Sequence, residues 1–367
     1  MEDEKLKLIT GSPQIHSLAS TSRVMGGVIL ALLPAGIWGV WLFGPRAGAV
    51  ILVSLAGAAA GELIGAGLMK KNTLADGSAF LTGLLVAYNM PVSVPLYVPA
   101  TASLFALLVA KWTFGGLGNN WINPALAGRV FVFFSWTSAM TKWTLPVKLT
   151  GAAEAVTGAT VLGAVKTGLA DLGGPGGGGP VEFLKSLDFP ASAFAQDLAR
   201  GFQGLTGLET EALKWDLFFG LTPGCIGEVS TLLLLLGGAA LLFTRIINWE
   251  IPFFYLGSFA LLTGIFGGLP FGKGLFAGDV VFHLLSGGLI LGAFFMATDM
   301  VTSPLTKKGM IIYALGTGFL TFLIRQYGSF PEGVSLAIIL MNIFVPVINR
   351  YTGPKRFGVA KTKTKAA

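Results

Sequence analysis

Cysteine and histidine are almost absent from this chain of 367 residues. Cys225 is the single cysteine, and His16 and His283 are the two histidines. Because iron–sulfur clusters take about four cysteinyl ligands, the chain cannot hold a cluster by itself. His16 lies in a polar N-terminal stretch, so a bis-histidine haem inside a bilayer is excluded. Any electron carrier in this chain must therefore be organic, although a metal half-site shared with another protein chain through Cys225 stays open.

Charge is also scarce. Only 12% of the residues are charged and 53% are hydrophobic, and the mean hydropathy is +0.74, whereas soluble domains average about 25% charged residues. A large soluble α/β enzyme would need polar helix faces, which most of these apolar runs lack. The net charge of +7 does not indicate nucleic acid, since the basic residues lie at the ends of apolar runs and in the tail after Arg350. The segment Met1–Lys5 carries no cleavable signal pattern.

The sequence predicts an all-α integral membrane protein with about ten transmembrane helices, since a helix needs about 20 residues to cross a bilayer. We divide the chain into a cytoplasmic N-terminal tail, a first five-helix block, a loop, a second five-helix block and a basic cytoplasmic tail, at residues 1–22, 23–137, 138–222, 223–349 and 350–367. The predicted spans are residues 23–43, 47–68, 77–91, 94–112, 122–137, 226–244, 251–268, 279–297, 309–325 and 331–349.

Lysine and arginine predict the orientation. With the N-terminus inside, the basic residues gather on the cytoplasmic side, and the short outer connections hold only Arg46, Lys273 and Arg325. The positive-inside rule then places both termini in the cytoplasm and the 138–222 loop outside.

The two blocks resemble a diverged repeat. The stretch Asp76–Leu85 with Asn89–Pro91 is echoed by Asp279–Leu289 with Asp299–Pro304. An odd number of spans per block predicts that the second copy enters the membrane from the opposite side, as in inverted repeats, which place functional sites near the midplane. Chance similarity between apolar segments is the alternative reading.

Ionisable side chains inside spans are costly and are therefore functional candidates. We predict a Na⁺ or H⁺ route at the repeat interface, and we expect Glu62 and Arg129 to pair with each other. Asp76, Glu228 and Glu332 lie at span ends, where an acidic residue also stabilises a helix N-terminus. The predicted route residues are Glu62, Arg129, Asp279, His283 and Asp299.

The loop contains the motif Thr157-Gly158-Ala159-Thr160, directly before a predicted short helix that runs to Asp171 and ends at Gly173. A threonine at this position is typical of an ordinary N-cap. The same geometry suits a phosphate, because free N–H groups and the positive end of the helix dipole face it. Both readings stay open from the motif alone.

The chain resembles the RnfD/NqrB family of membrane flavoproteins, whose members belong to the Rnf ferredoxin–NAD⁺ oxidoreductase and to the sodium-pumping NADH–quinone reductase. The matching stretches are Gly115–Ala125, Thr157–Thr160, Ala297–Pro304 and Pro331–Asn342. The resemblance implies FMN attached to Thr160 through a phosphoester, within the motif residues Thr157, Gly158 and Ala159. It also implies a bacterial cytoplasmic membrane location and other Rnf-type subunits as partners, and it leaves open a second, non-covalent flavin such as riboflavin.

Two departures and several candidates accompany this resemblance. The family motif usually begins with Asp and Gly, where this chain has Glu154 and Ala155. Aromatic residues near the loop are candidates to wall a flavin ring, and three lysines are candidates to neutralise its phosphate, namely Phe131, Phe133, Phe134, Trp136 and Trp143, and Lys142, Lys148 and Lys166. A cofactor-free channel for a small solute and a scaffold protein without cofactor are the competing functions.

Overall fold

A computed structural model describes residues 20–70, 73–146, 157–172, 179–187, 189–328, 330 and 332–353. The two tails beyond these ranges, Glu154 and Ala155, Lys148, Gly173 and the side chain of Thr157 lie outside what it describes. Within these ranges the chain is helical apart from one short two-stranded ladder.

The first block contains five apolar helices, two of which begin with a proline at the position where its missing N–H costs nothing. Helix α4 continues through a π-turn and a 3-10 turn as far as Phe114. The helices are α1 (Thr21–Phe43), α2 (Pro45–Met69), α3 (Ser78–Tyr88), α4 (Tyr97–Phe105) and α5 (Pro124–Ser135).

The loop between the blocks holds short helices, as expected for its mixed charge and aromatic content. Val161, Leu162 and Val165 of α7 pack with Leu184, Leu213 and Phe282 in a small core of their own, which fixes the loop against the second block. The elements are α6 (Thr137–Met140), β1 (Trp143–Thr144), β2 (Thr157–Gly158), α7 (Val161–Leu172), α8 (Pro180–Ser186), α9 (Ala193–Thr206) and α10 (Ala212–Phe219).

The second block repeats the pattern of the first, with one break. The predicted single span over residues 279–297 was wrong in form, because Gly287 and Gly288, at φ +63° and +59°, interrupt the helix. A left-handed backbone at two successive residues ends an α-helix. The helices are α11 (Thr231–Phe243), α12 (Glu250–Phe266), α13 (Val280–Leu285), α14 (Leu289–Leu291, extended by a π-turn to Met296), α15 (Lys307–Tyr327) and α16 (Val334–Thr352).

Six helices in the described residues are long and apolar enough to cross a membrane: Thr21–Phe43, Pro45–Met69, Tyr97–Phe114, Glu250–Phe271, Lys307–Tyr327 and Val334–Thr352. Three shorter apolar helices, α3, α5 and α11, accompany them. Their outward faces carry large apolar residues in the open, such as Leu52 and Phe243, which suits contact with lipid.

Glycine allows these helices to approach closely. A Cβ on Gly57 would lie 2.9 Å from the Ala100 carbonyl, and one on Gly61 would lie 2.9 Å from the Leu107 Cβ. Both would clash, so α2 and α4 pack at a distance that only glycine permits.

The bundle has two ends, which we name by one residue each. At the Thr160 end, Arg46 donates to the carbonyls of Val92 and Val94, and Lys166 donates to that of Arg325. At the Lys111 end, Lys307 pairs with Glu250, and the Leu305 N–H donates to Asn349. The polar clusters described below therefore fall at opposite ends of the apolar core.

Candidate functional site

Thr160 stands immediately before the first residue of α7. Its hydroxyl accepts the Gly163 N–H at 3.0 Å, and its carbonyl accepts the Ala164 N–H at 2.7 Å. The residue is only 6% exposed. Thr160 is thus an N-cap, and the remaining N–H groups of the first turn and the positive end of the α7 dipole face the same point.

Space has been kept beside this hydroxyl. A Cβ on Gly163 would lie 2.9 Å from the Thr160 Oγ, closer than side chains pack. The hydroxyl also faces a cavity whose polar lining comes mainly from the second block. That lining includes Thr222, Glu228, Ser286 and Glu332.

A second cavity adjoins the first and shares Glu332 with it. Trp143 and Phe133 line it, and Trp143 is held in place because it pairs with Gly158 of the motif across the β1–β2 ladder. Phe131 instead stacks on Phe105, with ring centroids 4.1 Å apart and nearly parallel rings. Of the aromatic candidates, Trp143 and Phe133 are therefore the two that face the Thr160 region.

The lysine candidates face other partners. The Lys166 ammonium donates to the carbonyls of Ile324, Arg325 and Phe330, so it fastens α7 to the end of α15. Partial burial, with a smaller contribution from the positive charge of Arg325, lowers the pKa of Lys166 to about 8. Lys142 takes part through its backbone carbonyl, which accepts the Ser93 hydroxyl.

Two buried guanidinium groups organise the cavity beneath Thr160. Arg129 of α5 binds the Glu332 carboxylate and the Ser335 hydroxyl, and so joins the first block to the second. Arg325 donates to the carbonyls of His283, Ser286 and Gly287 at 2.7–3.2 Å, and to that of Glu332 at 3.2 Å. The first three of these carbonyls lie where α13 ends, at the glycine break.

Another polar cavity lies at the Lys111 end, between the two blocks. Asn123 caps α5 by accepting the Ala125 and Leu126 N–H groups and donates to the Met296 carbonyl of the second block at 3.2 Å. The buried Asn120 has an amide oxygen with no hydrogen-bond partner among the described residues. The cavity is lined by both asparagines, by Asp299 and by residues of α1, α3 and α11.

The predicted pairing of Glu62 with Arg129 was wrong. Glu62 accepts the Lys111 ammonium at 2.8 and 2.9 Å, the Trp112 indole N–H at 2.9 Å and the Thr73 hydroxyl at 2.6 Å. The two residues lie at different depths of the bundle, where each found a nearer partner. Spacing along the chain does not reveal which of several buried charges meet.

The five predicted route residues do not gather at one place. Asp279 caps α13 by accepting the Phe282 N–H and pairs with Lys214 at 2.8 Å. Both ring nitrogens of the buried His283 lack a hydrogen-bond partner in the part of the chain that the structure describes. Asp299 accepts the Thr302 hydroxyl and belongs to the cavity at the Lys111 end.

The residues closest to Thr160 were underrated in the sequence. Glu228 and Glu332 were assigned to span ends, yet both line the Thr160 cavity and are buried. Their ligand atoms and the Cys225 sulfur all lie within 4.8 Å of one another. The sequence signal was present, since acidic residues next to apolar runs demand a partner, but nothing in it indicated that the two would meet in one cavity.

Apolar helices that enclose polar cavities define the class of this molecule: it is a multi-pass integral membrane protein. The chain belongs to the NQR2, RnfD, RnfE family, whose match covers residues 8–358.

Curated relatives align over nearly the whole chain, and each is the D-type component of its complex. The chain is 42% identical to that of the proton-translocating ferredoxin:NAD(+) oxidoreductase complex of Clostridium ljungdahlii, over 96% of each chain. It is 39% identical to that of the Na(+)-translocating ferredoxin:NAD(+) oxidoreductase complex of Acetobacterium woodii, over 98% of this chain and 97% of the relative. It is also 39% identical to that of an ion-translocating oxidoreductase complex of Stutzerimonas stutzeri, over 93% of each chain.

Proposed function

We propose that this chain is a membrane subunit of an Rnf-type complex, which passes electrons between ferredoxin and NAD⁺ and couples that transfer to Na⁺ or H⁺ translocation. The near-complete alignment with components of such complexes supports this function. The sequence has no glycine-rich dinucleotide turn after a strand. Ferredoxin and NAD⁺ therefore bind to the other subunits of the complex, which are the partners of this chain.

The chain carries FMN as a phosphoester on Thr160, and FMN supplies one- and two-electron transfer. The observation that carries this proposal is the buried Thr160 hydroxyl, which caps a twelve-residue helix and faces a cavity. The phosphate of the ester would lie at the N-terminus of α7, where unpaired N–H groups and the dipole stabilise a negative charge. Gly163 leaves room for it, and Trp143 and Phe133 stand where they could contact the ring system.

A second, non-covalent flavin fits the cavity at the Lys111 end. The unpartnered amide oxygen of Asn120 is an acceptor for a ring or ribityl donor, and Asn123 is held rigidly by its own helix. Such a site, apolar with a few convergent polar groups between two structural units, is typical of cofactor pockets. The two flavins would occupy opposite ends of the bundle.

We also infer that the chain crosses the membrane ten times as two inverted five-helix repeats. Matching helices run in opposite directions between the two ends: α1, α3 and α5 begin at the Lys111 end, whereas α11, α13 and α16 begin at the Thr160 end. The same helix pairs also contact in each block, α2 with α4 and α12 with α15. The basic residues then place the Thr160 end outside the cytoplasm and both termini inside.

The ion route remains a proposal for Glu62, Arg129, Asp279, His283 and Asp299. Their distribution along the bundle would make them successive positions rather than one site. Replacing Glu62 and Asp279 by Ala should lower ion transport by the reconstituted complex more than electron transfer. Unchanged transport would exclude both residues from the route.

In-gel fluorescence tests the covalent flavin. Wild-type chain from cells that contain the flavin transferase should give a fluorescent band after denaturation, with an intact mass raised by one FMN. Thr160→Ala should give a dark band while the chain still inserts into the membrane, and Thr157→Ala should stay fluorescent. A dark wild-type band would favour the cofactor-free channel instead.

The released fraction tests the second flavin. Flavin freed into the supernatant on denaturation should be present in wild type and lost in Asn120→Leu, because the unpartnered amide is removed and the cavity filled. Asn119→Leu is the matched control, since Asn119 is the adjacent exposed residue. Equal release from all three proteins would exclude this cavity.

A further inference from the structure

Glu228 is a buried carboxylate without a positively charged partner in contact among the described residues. It is 8% exposed and lies between α10 and α11. One of its oxygens accepts the Cys225 N–H at 3.0 Å, and the other has no hydrogen-bond partner within the described ranges. A Cβ on Gly288 would lie 2.4 Å from that second oxygen, so the glycine break in the second block is what makes space for it.

The nearby positive charges are already engaged. Arg129 binds the carboxylate of Glu332, and Arg325 directs its donors to four carbonyl groups. Cys225 carries no charge as a thiol. Together with Glu332, these are the charged and titratable groups that face Glu228 in the described part of the chain, and one negative charge remains without compensation in contact.

Two further unpartnered oxygens line the same cavity. The Ser286 hydroxyl is 1% exposed and has no partner among the described residues, and one oxygen of Glu332 also has none. The Glu228 and Glu332 ligand atoms lie within 4.8 Å of each other. Three buried oxygens that converge without donors form the kind of lining that a cation, rather than an empty cavity, satisfies.

We propose that Glu228, with Glu332 and the Ser286 hydroxyl, holds one exchangeable monovalent cation, a proton or Na⁺, beside the flavin threonine. An uncompensated buried carboxylate is too costly to persist, so it must take up a positive charge. Carboxylate and hydroxyl oxygens are the ligands that a hard cation prefers.

This inference rests on the proposed function for its role, because Thr160 lines the same cavity. A phosphoester on Thr160 brings a further negative charge to the cavity wall, and this charge strengthens cation binding at Glu228. The site would thereby link the charge carried by the cofactor to the binding of the translocated ion. The relatives include components of both a proton-translocating and a Na⁺-translocating complex, which makes both ions relevant.

Infrared difference spectroscopy on the full-length chain in lipid nanodiscs tests the site. With choline as the only salt, a pH titration in H₂O and D₂O should show a protonated carboxyl band in wild type that Glu228→Gln lacks. We expect Glu228 to bind a proton about tenfold or more tightly than an exposed carboxylate. Glu182→Gln, which alters an exposed carboxylate paired with Lys273, should leave the band unchanged. Glu228→Asp should shift its frequency, which identifies the band even if the Gln variant does not insert.

Replacing choline by Na⁺ at constant ionic strength distinguishes the two ions. If Na⁺ competes for the site, the titration midpoint falls as Na⁺ is added, and Ser286→Ala weakens that dependence. If the band ignores Na⁺, the site is a proton site. A wild-type spectrum identical to that of Glu228→Gln in both salts would overturn the proposal.

Flavin fluorescence of the same samples separates this test from the previous one. A fluorescent chain without the Glu228 band overturns the cation site alone. A dark chain that retains the band overturns the covalent flavin alone.

Discussion

The Glu62–Lys111 ion pair offers the sharpest test of how buried charge is organised in this bundle. The side chains of the pair are 0% and 2% exposed, and the Ser78 hydroxyl accepts a third bond from the ammonium at 2.8 Å. Removing one partner leaves an uncompensated charge in a dry interior, which costs about 3–5 kcal/mol. We therefore expect Glu62→Gln and Lys111→Met each to lower the free energy of unfolding by about that amount.

The double variant should be far milder than the sum of the two single variants. Glu62→Gln with Lys111→Met removes both charges, and replacing a whole buried pair is often nearly neutral. Reversible unfolding in mixed micelles, followed by tryptophan fluorescence, gives the three free energies and the coupling between the sites.

An exposed pair provides the control for this cycle. Arg200 and Asp197 lie 3.4 Å apart and are 74% and 76% exposed, so their cycle should give a coupling of at most about 1 kcal/mol. If the Glu62–Lys111 coupling is no larger than the control, water or lipid headgroups reach the pair and our reasoning about its burial fails.

Two further predictions concern the loop. Gly163→Ala should reduce flavin attachment to Thr160 severalfold in the gel assay, since its Cβ would lie 2.9 Å from the acceptor hydroxyl, whereas Gly201→Ala, with open space around it, should not; equal fluorescence would show that the hydroxyl moves freely. Burial and, to a lesser degree, Arg325 lower the pKa of Lys166 from 10.5 to about 8; the unfolded chain then binds more protons between these values, so the unfolding free energy should rise with pH across this window, and heat-denaturation midpoints of Lys166→Met should lack that rise.

Much of the fold followed from local pattern. Apolar runs with a proline or a capping residue at their start gave the helix positions to within a few residues, as at Pro124 after Asn123, because span length and capping are properties of a short segment. The break at Gly287 and Gly288 was missed, since glycine is frequent throughout these spans and its backbone angle depends on what packs against it.

The candidate site was only partly predictable. Thr160 could be singled out because its helix follows it directly in the sequence. Glu228 and Glu332 could not be joined to it, because they are far apart along the chain and meet only when α7 and α16 pack against the second block.

The sequence by itself determined that this chain is a multi-span membrane protein without the ligands for a haem or an iron–sulfur cluster, and that Thr160 begins a helix. Composition and local hydrogen bonding fix such properties, whatever the tertiary arrangement. Only the tertiary structure decided that Glu62 binds Lys111 while Arg129 binds Glu332, and that Glu228 is left without a positively charged partner in contact among the described residues. Pairing among buried charges depends on which side chains reach one another within a few ångströms, and that distance is set by the packing of whole helices.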